Sequence, residues 1–503
     1  MKKSTLVHER TASLFILATI ACLSFVVRIY PLSHPSTWTP NPDSIGYVSL
    51  AHGFKTGCGF APRWQNGKCG PAELERTPGY PLFLAISQDL RAVVTVQAVL
   101  GAGVCFLIAL FAWKRWGLAA GVIAESIVAF DLSSIIANDI GAEILFTSII
   151  TSAILLQLVI ISRAAVDVWF IAGILGVGCL LGIAELVRPI GQVLCLIAPL
   201  PIVLTAGALP KKIVLSLLAL SIPLAVIVGW SYRNYQQRGI WTFSSIGAVN
   251  LYYYRAAGVL AHETGQSVEQ VQVDLLRSAG RESKASDLWS KTFDEDPAEM
   301  KSRGIQIVLS HPLYFAFMTF KAFARSSVMP SNRPDVSSFL GHRADRTETN
   351  AFLTPNILSS LRSTFKSSWL VTIRALLSFQ LTLTIFMWIG VGLALRRMRG
   401  QPRPIRSLIL IPLFTSLLLL AAAAGPEMYD RFRVPVVPML ALVAAFGWTA
   451  AEHGTAARIS RAALPRHRLA SGAHFRTVGQ NIIDVVTATA GATCRFTEDR
   501  RTA

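Results

Sequence analysis

Apolar residues along this chain are gathered into long uninterrupted runs. The runs are about 18 to 22 residues long and almost free of charge, the length that a helix needs to cross roughly 30 Å of hydrocarbon. Because lipid offers the backbone no hydrogen-bond partner, each such segment must be helical. The pattern predicts an all-α polytopic membrane protein with about ten spans, at 12–30, 92–113, 118–136, 142–162, 168–187, 190–208, 212–231, 369–395, 406–425 and 434–451.

Composition supports the same class of protein. Of the 503 residues, 52% are hydrophobic and 15% are charged, whereas soluble domains carry about 25% charged residues. The formal charge is +18, but the lysines and arginines lie mainly at the ends of the apolar runs. That placement is typical of contact with anionic lipid headgroups, so membrane lipids are expected as partners and nucleic acid is not.

Basic residues favour one set of span ends, which sets the expected orientation in the inner membrane. With the N-terminus in the cytoplasm, the short outer connections carry only Arg188, Arg431 and Arg433. Cytoplasmic loops are enriched in Lys and Arg, so both termini are expected in the cytoplasm. The cytoplasmic ends then carry Lys2, Lys3, Arg10, Lys114, Arg115, Arg163, Lys211, Lys212, Arg396, Arg397, Arg399, Arg403 and Arg406.

Two long polar segments interrupt the spans of a membrane domain predicted over 1–451. Residues 31–91 and 232–368 are then periplasmic loops, and loops of such length are usually functional or disordered. Within the second loop, residues 305–325 predict a helix lying on the membrane surface in preference to an eleventh span. Residues 452–503 are expected to form a basic cytoplasmic tail near anionic lipid.

The first loop carries two residues with chemical potential. Asp43 precedes a helix-like stretch and is interpreted either as an N-cap or as a general base at the membrane–water boundary. Arg76 precedes Thr77-Pro78-Gly79, where proline and glycine indicate a sharp turn. Its guanidinium either snorkels like an ordinary interface arginine or binds phosphate oxygens with its fork of donors.

Two of the seven cysteines, Cys58 and Cys69, also lie in the first loop. In an oxidising periplasm, cysteines with this separation can form a disulfide, which contributes about 3 kcal/mol by limiting the unfolded chain. Two free thiols are the alternative. No CxxC motif or His/Cys cluster indicates a metal site.

Further polar residues fall at the same face of the membrane. Glu143 is one helical turn from Asp139, so both can face one cavity. Glu185 and Arg188 have the spacing of an ion pair on one helix. A carboxylate beside several arginines suits a reaction in which the carboxylate takes a proton and the arginines stabilise a departing phosphate. The charged set is Asp43, Arg76, Glu143, Arg188, Arg233, Arg431 and Arg433.

These segments together resemble the GT-C superfamily of membrane glycosyltransferases. The likeness is to the protein O-mannosyltransferase, aminoarabinose-transferase and rhizobial lipopolysaccharide galacturonosyltransferase-like type. Each motif is short, and their order and placement against the spans carry the resemblance. The matching pieces are 43–47, 76–81, 142–146, 188–189, Trp230 with 233–234, and 431–435.

The resemblance implies a GT-C-like bundle that transfers a sugar, with inversion, from a polyprenyl-phosphate donor to lipid A, a core glycan or a protein. It implies Asp43 as the base and no cofactor, and it leaves a metal requirement open. Many members have Asp-Glu in the first loop, whereas Ser44 follows Asp43 here. The implied substrate- and phosphate-binding residues are Arg76, Tyr80, Glu143, Arg188, Arg233, Tyr429, Arg431 and Arg433.

The alternative function is that of a polytopic transporter or lipid flippase. Transporters are typically built from paired repeats and broken helices, with their charged sites near the middle of the membrane. This chain shows no convincing internal repeat, and its charges are predicted at one face. The glycosyltransferase is therefore the leading hypothesis.

Overall fold

The computed structural model describes most of the chain up to Thr449 and shows an all-helical protein. Its described residues contain no β-strand, only an isolated bridge between Arg63 and Cys69. The chain divides into Met1–Glu452 and His453–Ala503, and the second unit, which holds the predicted tail, lies outside the described residues. Those residues are 2–33, 42–64, 66–87, 89–162, 166–204, 208–278, 296–328, 336, 339–340, 368–425 and 430–449.

Eighteen α-helices are defined within these residues. Shorter 3-10 or π helices connect some of them, at Tyr30–Ser33, Pro189–Ile197, Asn250–Ala256, Met398–Gly400 and Asp430–Val436. The α-helices are α1 (Lys2–Ile29), α2 (Pro42–Lys55), α3 (Gly79–Ala85), α4 (Leu90–Trp116), α5 (Leu118–Phe130), α6 (Leu132–Ile136), α7 (Glu143–Ile161), α8 (Val168–Val187), α9 (Leu200–Leu204), α10 (Leu209–Arg238), α11 (Ile246–Val249), α12 (Ala257–Thr264), α13 (Val268–Ser278), α14 (Pro297–Ser310), α15 (Pro312–Val328), α16 (Ser368–Arg397), α17 (Arg403–Ala423) and α18 (Val437–Thr449).

Eight helices in the described part of the chain are long and apolar enough to cross a membrane, which confirms the predicted all-α polytopic class. Two other predicted spans are interrupted helices. The span at 118–136 is broken at Asp131, which caps α6. The span at 190–208 begins as the 3-10 helix Pro189–Ile197 and continues as α9. The eight candidate spans are His8–Ser33, Leu90–Trp116, Glu143–Ile161, Val168–Val187, Leu209–Arg238, Val371–Gly400, Arg403–Ala423 and Arg431–Thr449.

Helix α18 forms the centre of the bundle. It is apolar on all sides and buried along almost its whole length, as expected for a helix enclosed by others. It packs against α4, α5, α16 and α17. The approach to α16 is especially close, because a Cβ on Gly447 would overlap the carbonyl oxygen of Gly390, and small residues let membrane helices approach in this way.

A buried polar network joins this centre to α6 and α16. The carboxylate of Asp131 accepts hydrogen bonds from the Ser134 amide at 2.8 Å and from Gln380 at 2.7 Å. Arg433, which is fully buried, lies 3.5 Å from the same carboxylate and donates to Ser133 at 2.9 Å. Polar groups in a membrane are costly unless they are paired, so these contacts restrict how the three segments can pack.

The second loop contains a sharp elbow at His311. Helices α14 and α15 meet there at 101°, because Pro312 has no backbone N–H to continue α14. The helix predicted over 305–325 is therefore divided between the end of α14 and α15, which begins at Pro312. Leu313, Phe317 and Phe320 are exposed along α15, and its predicted position on the membrane surface stays a prediction.

Replacing Arg433 with leucine is expected to destabilise the bundle by about 3–5 kcal/mol, because it leaves the Asp131 carboxylate buried without its cation. Thermal unfolding of the purified protein in detergent measures this as a lower melting temperature.

Arg303→Leu is the matched control. Arg303 pairs with Glu299 at 2.6 Å on α14, but both side chains are exposed, and exposed ion pairs contribute little to stability. Equal melting temperatures for the two variants would show that the Asp131–Arg433 contact does not hold the bundle together.

Candidate active site

Helix α2 presents the first of the predicted site residues. Asp43 lies in its first turn, where a negative charge also interacts favourably with the helix dipole. Its carboxylate accepts a 2.8 Å hydrogen bond from Nη2 of Arg431 through Oδ2, and its Oδ1 lies 3.7 Å from Nη2 of Arg76. Two of the arginines singled out in the sequence therefore converge on this one carboxylate.

The backbone around Arg76 is held by a neighbouring carboxylate. Oε1 of Glu73 accepts hydrogen bonds from the amides of Glu75 at 2.7 Å and Arg76 at 3.1 Å. The Arg76 guanidinium then passes over the ring of Tyr47 and lies directly against Gly46. A Cβ at position 46 would be 2.6 Å from Cζ of Arg76, so the guanidinium reaches Asp43 only because this residue is glycine.

Phe432 links one further arginine, Arg188, to Arg431 and the site. Its ring centroid lies 5.5 Å from Cζ of Arg431 and 5.7 Å from Cζ of Arg188, both within the range of cation–π attraction. Arg188 in turn donates a 2.8 Å hydrogen bond to Oε1 of Glu143. The result is a continuous series of charges from Asp43 through Arg431 and Arg188 to Glu143.

These charges decide the protonation state of Asp43. Burial by itself would raise the pKa of the Asp43 carboxyl, but the guanidinium groups of Arg431 and Arg76, with a smaller contribution from Arg188, outweigh it and hold the pKa below its usual value. The carboxylate is therefore ionised at neutral pH. Its side chain is 26% exposed, so the ionised group is accessible as a proton acceptor.

Three other predicted site residues have supporting positions. Tyr80 is fully buried and donates a 2.8 Å hydrogen bond to Gln97, while its ring contacts Tyr47. Arg233 donates to the carbonyl oxygens of Glu73 and Phe60 and so holds the first loop. Arg433 belongs to the buried network with Asp131 described above, and Tyr429 lies outside the described residues.

The ion pair considered between Glu185 and Arg188 does not form. Glu185 instead accepts a hydrogen bond from the Cys195 thiol at 3.0 Å, and Arg188 pairs with Glu143. The reason is that α8 ends at Val187 and Arg188 has extended backbone angles, whereas a side-chain pair three residues apart requires a continuous helix. Asp139, considered as a cavity residue beside Glu143, accepts a hydrogen bond from the Ile140 amide.

Several important residues were not identified from the sequence. Glu73 and Glu75 come just before Arg76, and Phe432 lies between Arg431 and Arg188. Their nearness to Arg76 and Arg431 in the sequence was the available signal. Arg28 and Asp131 are buried within the bundle. Both lie inside predicted spans, where an ionisable residue indicates a structural or functional contact.

The predicted disulfide between Cys58 and Cys69 is present, with a Cα–Cα distance of 5.4 Å. It closes the loop that leads directly to Glu73, whose amide donates to the carbonyl oxygen of Phe60 at 3.0 Å. The disulfide thus limits the freedom of the segment that carries Arg76. Within the described residues, no group of three or more His, Cys, Asp or Glu side chains is arranged to hold a metal ion.

No protein-family model and no curated protein matches this chain. Among solved structures, the chain is similar to the oligosaccharyltransferase AglB from Archaeoglobus fulgidus in complex with an inhibitory peptide and a dolichol-phosphate, with 14% identity, a TM-score of 0.49 and coverage of 95% of this chain and 54% of that one. It is also similar to ArnT from Cupriavidus metallidurans bound to undecaprenyl phosphate, with 14% identity, a TM-score of 0.36 and coverage of 88% and 78%.

The chain spans about half the length of the archaeal oligosaccharyltransferase, at 54%. With identities of 14% and TM-scores below 0.5, these similarities carry no argument about function, so the function proposed below rests on the residues of this chain.

The disulfide gives a direct chemical test. Alkylation of the denatured, unreduced protein is expected to leave Cys58 and Cys69 linked in one peptide pair, and mass spectrometry detects that pair. Cys22 and Cys179, which are free cysteines, serve as controls and should be alkylated in the same sample. Recovery of Cys58 and Cys69 as alkylated thiols would contradict the bond.

Proposed function

We propose that this protein is an inverting glycosyltransferase that uses a polyprenyl-phosphate-linked sugar and glycosylates a lipid, glycan or protein on the periplasmic side. The observation that carries the proposal is the convergence of Arg431 and Arg76 on the ionised, partly exposed carboxylate of Asp43. This arrangement combines a proton acceptor with cations suited to a phosphate, at one end of a membrane-spanning bundle.

The proposed reaction is a single displacement at the anomeric carbon of the donor sugar. The acceptor hydroxyl oxygen forms a bond to that carbon as the bond between the carbon and the phosphate oxygen breaks. The hydroxyl proton passes to the Asp43 carboxylate, and the electron pair of the broken bond leaves with the polyprenyl phosphate. Attack on the side opposite to the leaving phosphate inverts the configuration of the sugar.

The arginines have two roles in this reaction: they contact Asp43 and they donate hydrogen bonds to the phosphate. An arginine has five N–H donors, so Arg76 and Arg431 can each contact Asp43 and still offer donors to a phosphate. The buried Nε of Arg431 has no hydrogen-bond partner among the described residues, so this donor is not committed to another group. Charge-assisted hydrogen bonds to the departing phosphate stabilise the negative charge that develops on it.

The same contacts also set the pKa of the Asp43 carboxyl. While both arginines face Asp43, they favour its ionised form and make it a weak proton acceptor. A phosphate that draws the guanidinium groups toward itself weakens that attraction, so the pKa of the Asp43 carboxyl rises when the donor is bound. The carboxylate becomes a stronger base in the complex where a base is needed.

Asp43→Asn is expected to lower sugar transfer at least about 100-fold, the usual contribution of a general base, while the protein still inserts in the membrane. Mass spectrometry of glycolipids, glycans and glycoproteins from cells lacking the gene, complemented with wild-type or variant protein, measures the product. Asp274→Asn makes the same chemical change at an exposed site on α13 and should retain full transfer. An unchanged amount of product with Asp43→Asn would refute the base assignment.

Gly46→Ala is expected to reduce transfer by about tenfold or more, because the new methyl group displaces the Arg76 guanidinium from Asp43 and misplaced catalytic groups are costly. Alanine favours helix by up to about 1 kcal/mol over glycine, so stability should not fall in parallel. The same complementation assay, together with thermal unfolding, separates the two effects.

Gly103→Ala is the matched control for this substitution. Gly103 lies within helix α4 and has no atom within 4 Å of the position that a Cβ would take. Equal transfer by the two alanine variants would mean that the position of the Arg76 guanidinium does not matter for the reaction.

A further inference from the structure

Arg76 lies between two carboxyl groups. Its Nη2 is 3.7 Å from Oδ1 of Asp43, and its Nη1 is 3.8 Å from Oε1 of Glu75. Both distances exceed that of a good hydrogen bond, so the guanidinium is committed to neither carboxyl and interacts with both through its charge. Glu75 has no role in the reaction as described above, yet it faces the same cation as the proposed base.

The surroundings of Glu75 keep its carboxyl in this position. Its amide donates to Glu73 and its carbonyl oxygen accepts a hydrogen bond from the Ser244 hydroxyl at 2.5 Å. The preceding carbonyl, of Leu74, accepts from the Ser245 amide at 2.9 Å. The segment after α10 therefore fixes the Glu75 backbone, and the side chain is only 14% exposed.

Burial has the largest effect on the ionisation of Glu75. It raises the pKa of the Glu75 carboxyl to about 7, against the opposing charge of Arg76 and with the support of the negative charges of Glu73 and Asp43. Two further cations on α10 face this segment: Arg233 donates to the carbonyl oxygen of Glu73 and Arg238 to that of Ala72. Glu75 thus changes its charge close to neutral pH, while Asp43 stays ionised.

This change alters the net charge beside the proposed base. Ionisation of Glu75 makes the net charge of the groups around Arg76 more negative by one unit. An anionic group approaching Arg76 therefore meets a less favourable charge when Glu75 is ionised than when Glu75 is protonated.

We propose that Glu75 is a positioning residue whose ionisation controls how strongly Arg76 attracts the phosphodiester headgroup of a lipid-linked substrate. The proposal rests on the proposed function, because it takes the Asp43 site to be the place where that headgroup binds. When Glu75 is protonated, it does not compete with the phosphate for the Arg76 guanidinium. Ionised Glu75 competes with the phosphate for the same guanidinium.

The direction of the pH effect follows from these two states. Below neutral pH, Glu75 is protonated and binding is tight; as the pH rises through about 7, Glu75 ionises and binding weakens. One charge a few ångströms away in a partly buried site is expected to change affinity about tenfold. The effect should appear in substrate affinity, and therefore in KM, more than in kcat.

The test is a binding measurement on the purified full-length protein in detergent. The probe is farnesyl methyl phosphate, a phosphodiester that keeps one negative charge between about pH 5.5 and about pH 8.5, so its own titration does not contribute. Wild-type protein is expected to bind it about tenfold more weakly at the upper pH than at the lower one. Glu75→Gln should bind with the tight affinity at every pH, because the glutamine is always neutral.

Two further variants act as controls. Glu269→Gln makes the same change at an exposed site on α13 and should retain the wild-type pH step. Glu75→Asp retains a carboxyl at a different depth and should show a step with a shifted midpoint, which tests the proposal even where Glu75→Gln fails to fold.

The outcomes separate this proposal from the proposed function. Binding by the wild type without a pH step, or a step that survives unchanged in Glu75→Gln or keeps its midpoint in Glu75→Asp, would overturn the role of Glu75 alone. No binding by the wild type at any pH would overturn both, since the Asp43 site would then not accept a phosphodiester.

Discussion

The ion pair between Asp43 and Arg431 joins two segments that are 388 residues apart in the chain. Asp43 belongs to α2, in the first loop, whereas Arg431 belongs to the short helix that leads directly into α18. Because α18 is enclosed by other helices, the position of Arg431 is set by the packing of the bundle. Arg76 also lies beside this carboxylate, and Phe432 connects Arg431 to the pair formed by Arg188 and Glu143.

The buried network around Asp131 explains how that packing becomes specific. Apolar helices in lipid can slide past one another at small cost, since their surfaces are equally compatible with lipid tails. Helices that share a buried carboxylate cannot slide in this way, because the loss of Gln380 or Arg433 as a partner would leave a polar group unpaired where water does not reach. Arg433 therefore sets the short helix Asp430–Val436 in place, and Arg431, two residues earlier, is aimed at the first loop.

The sequence predicted the part of the candidate site that is marked by charged residues near the ends of apolar runs. Asp43, Arg76 and Arg431 were identified in this way and lie together. The partner of Arg188 was not predictable, because the choice between Glu185 and Glu143 depends on where α8 ends. Arg433 looked equivalent to Arg431, but in a helix with about three residues per turn residues two apart face different sides, so one reaches the site and the other enters the core.

The sequence by itself determined that the chain is a helical membrane protein, because a long uncharged run has no other stable structure in lipid. It also indicated where charge collects and which two cysteines could pair. Only the tertiary structure decided which charges meet, since contacts between distant segments depend on helix breaks, close approaches and buried partners. The position of Glu75 beside Arg76 is the clearest case: adjacency in the chain was visible from the start, but its burial, and with it the raised pKa, exists only once the segment after α10 packs over the first loop.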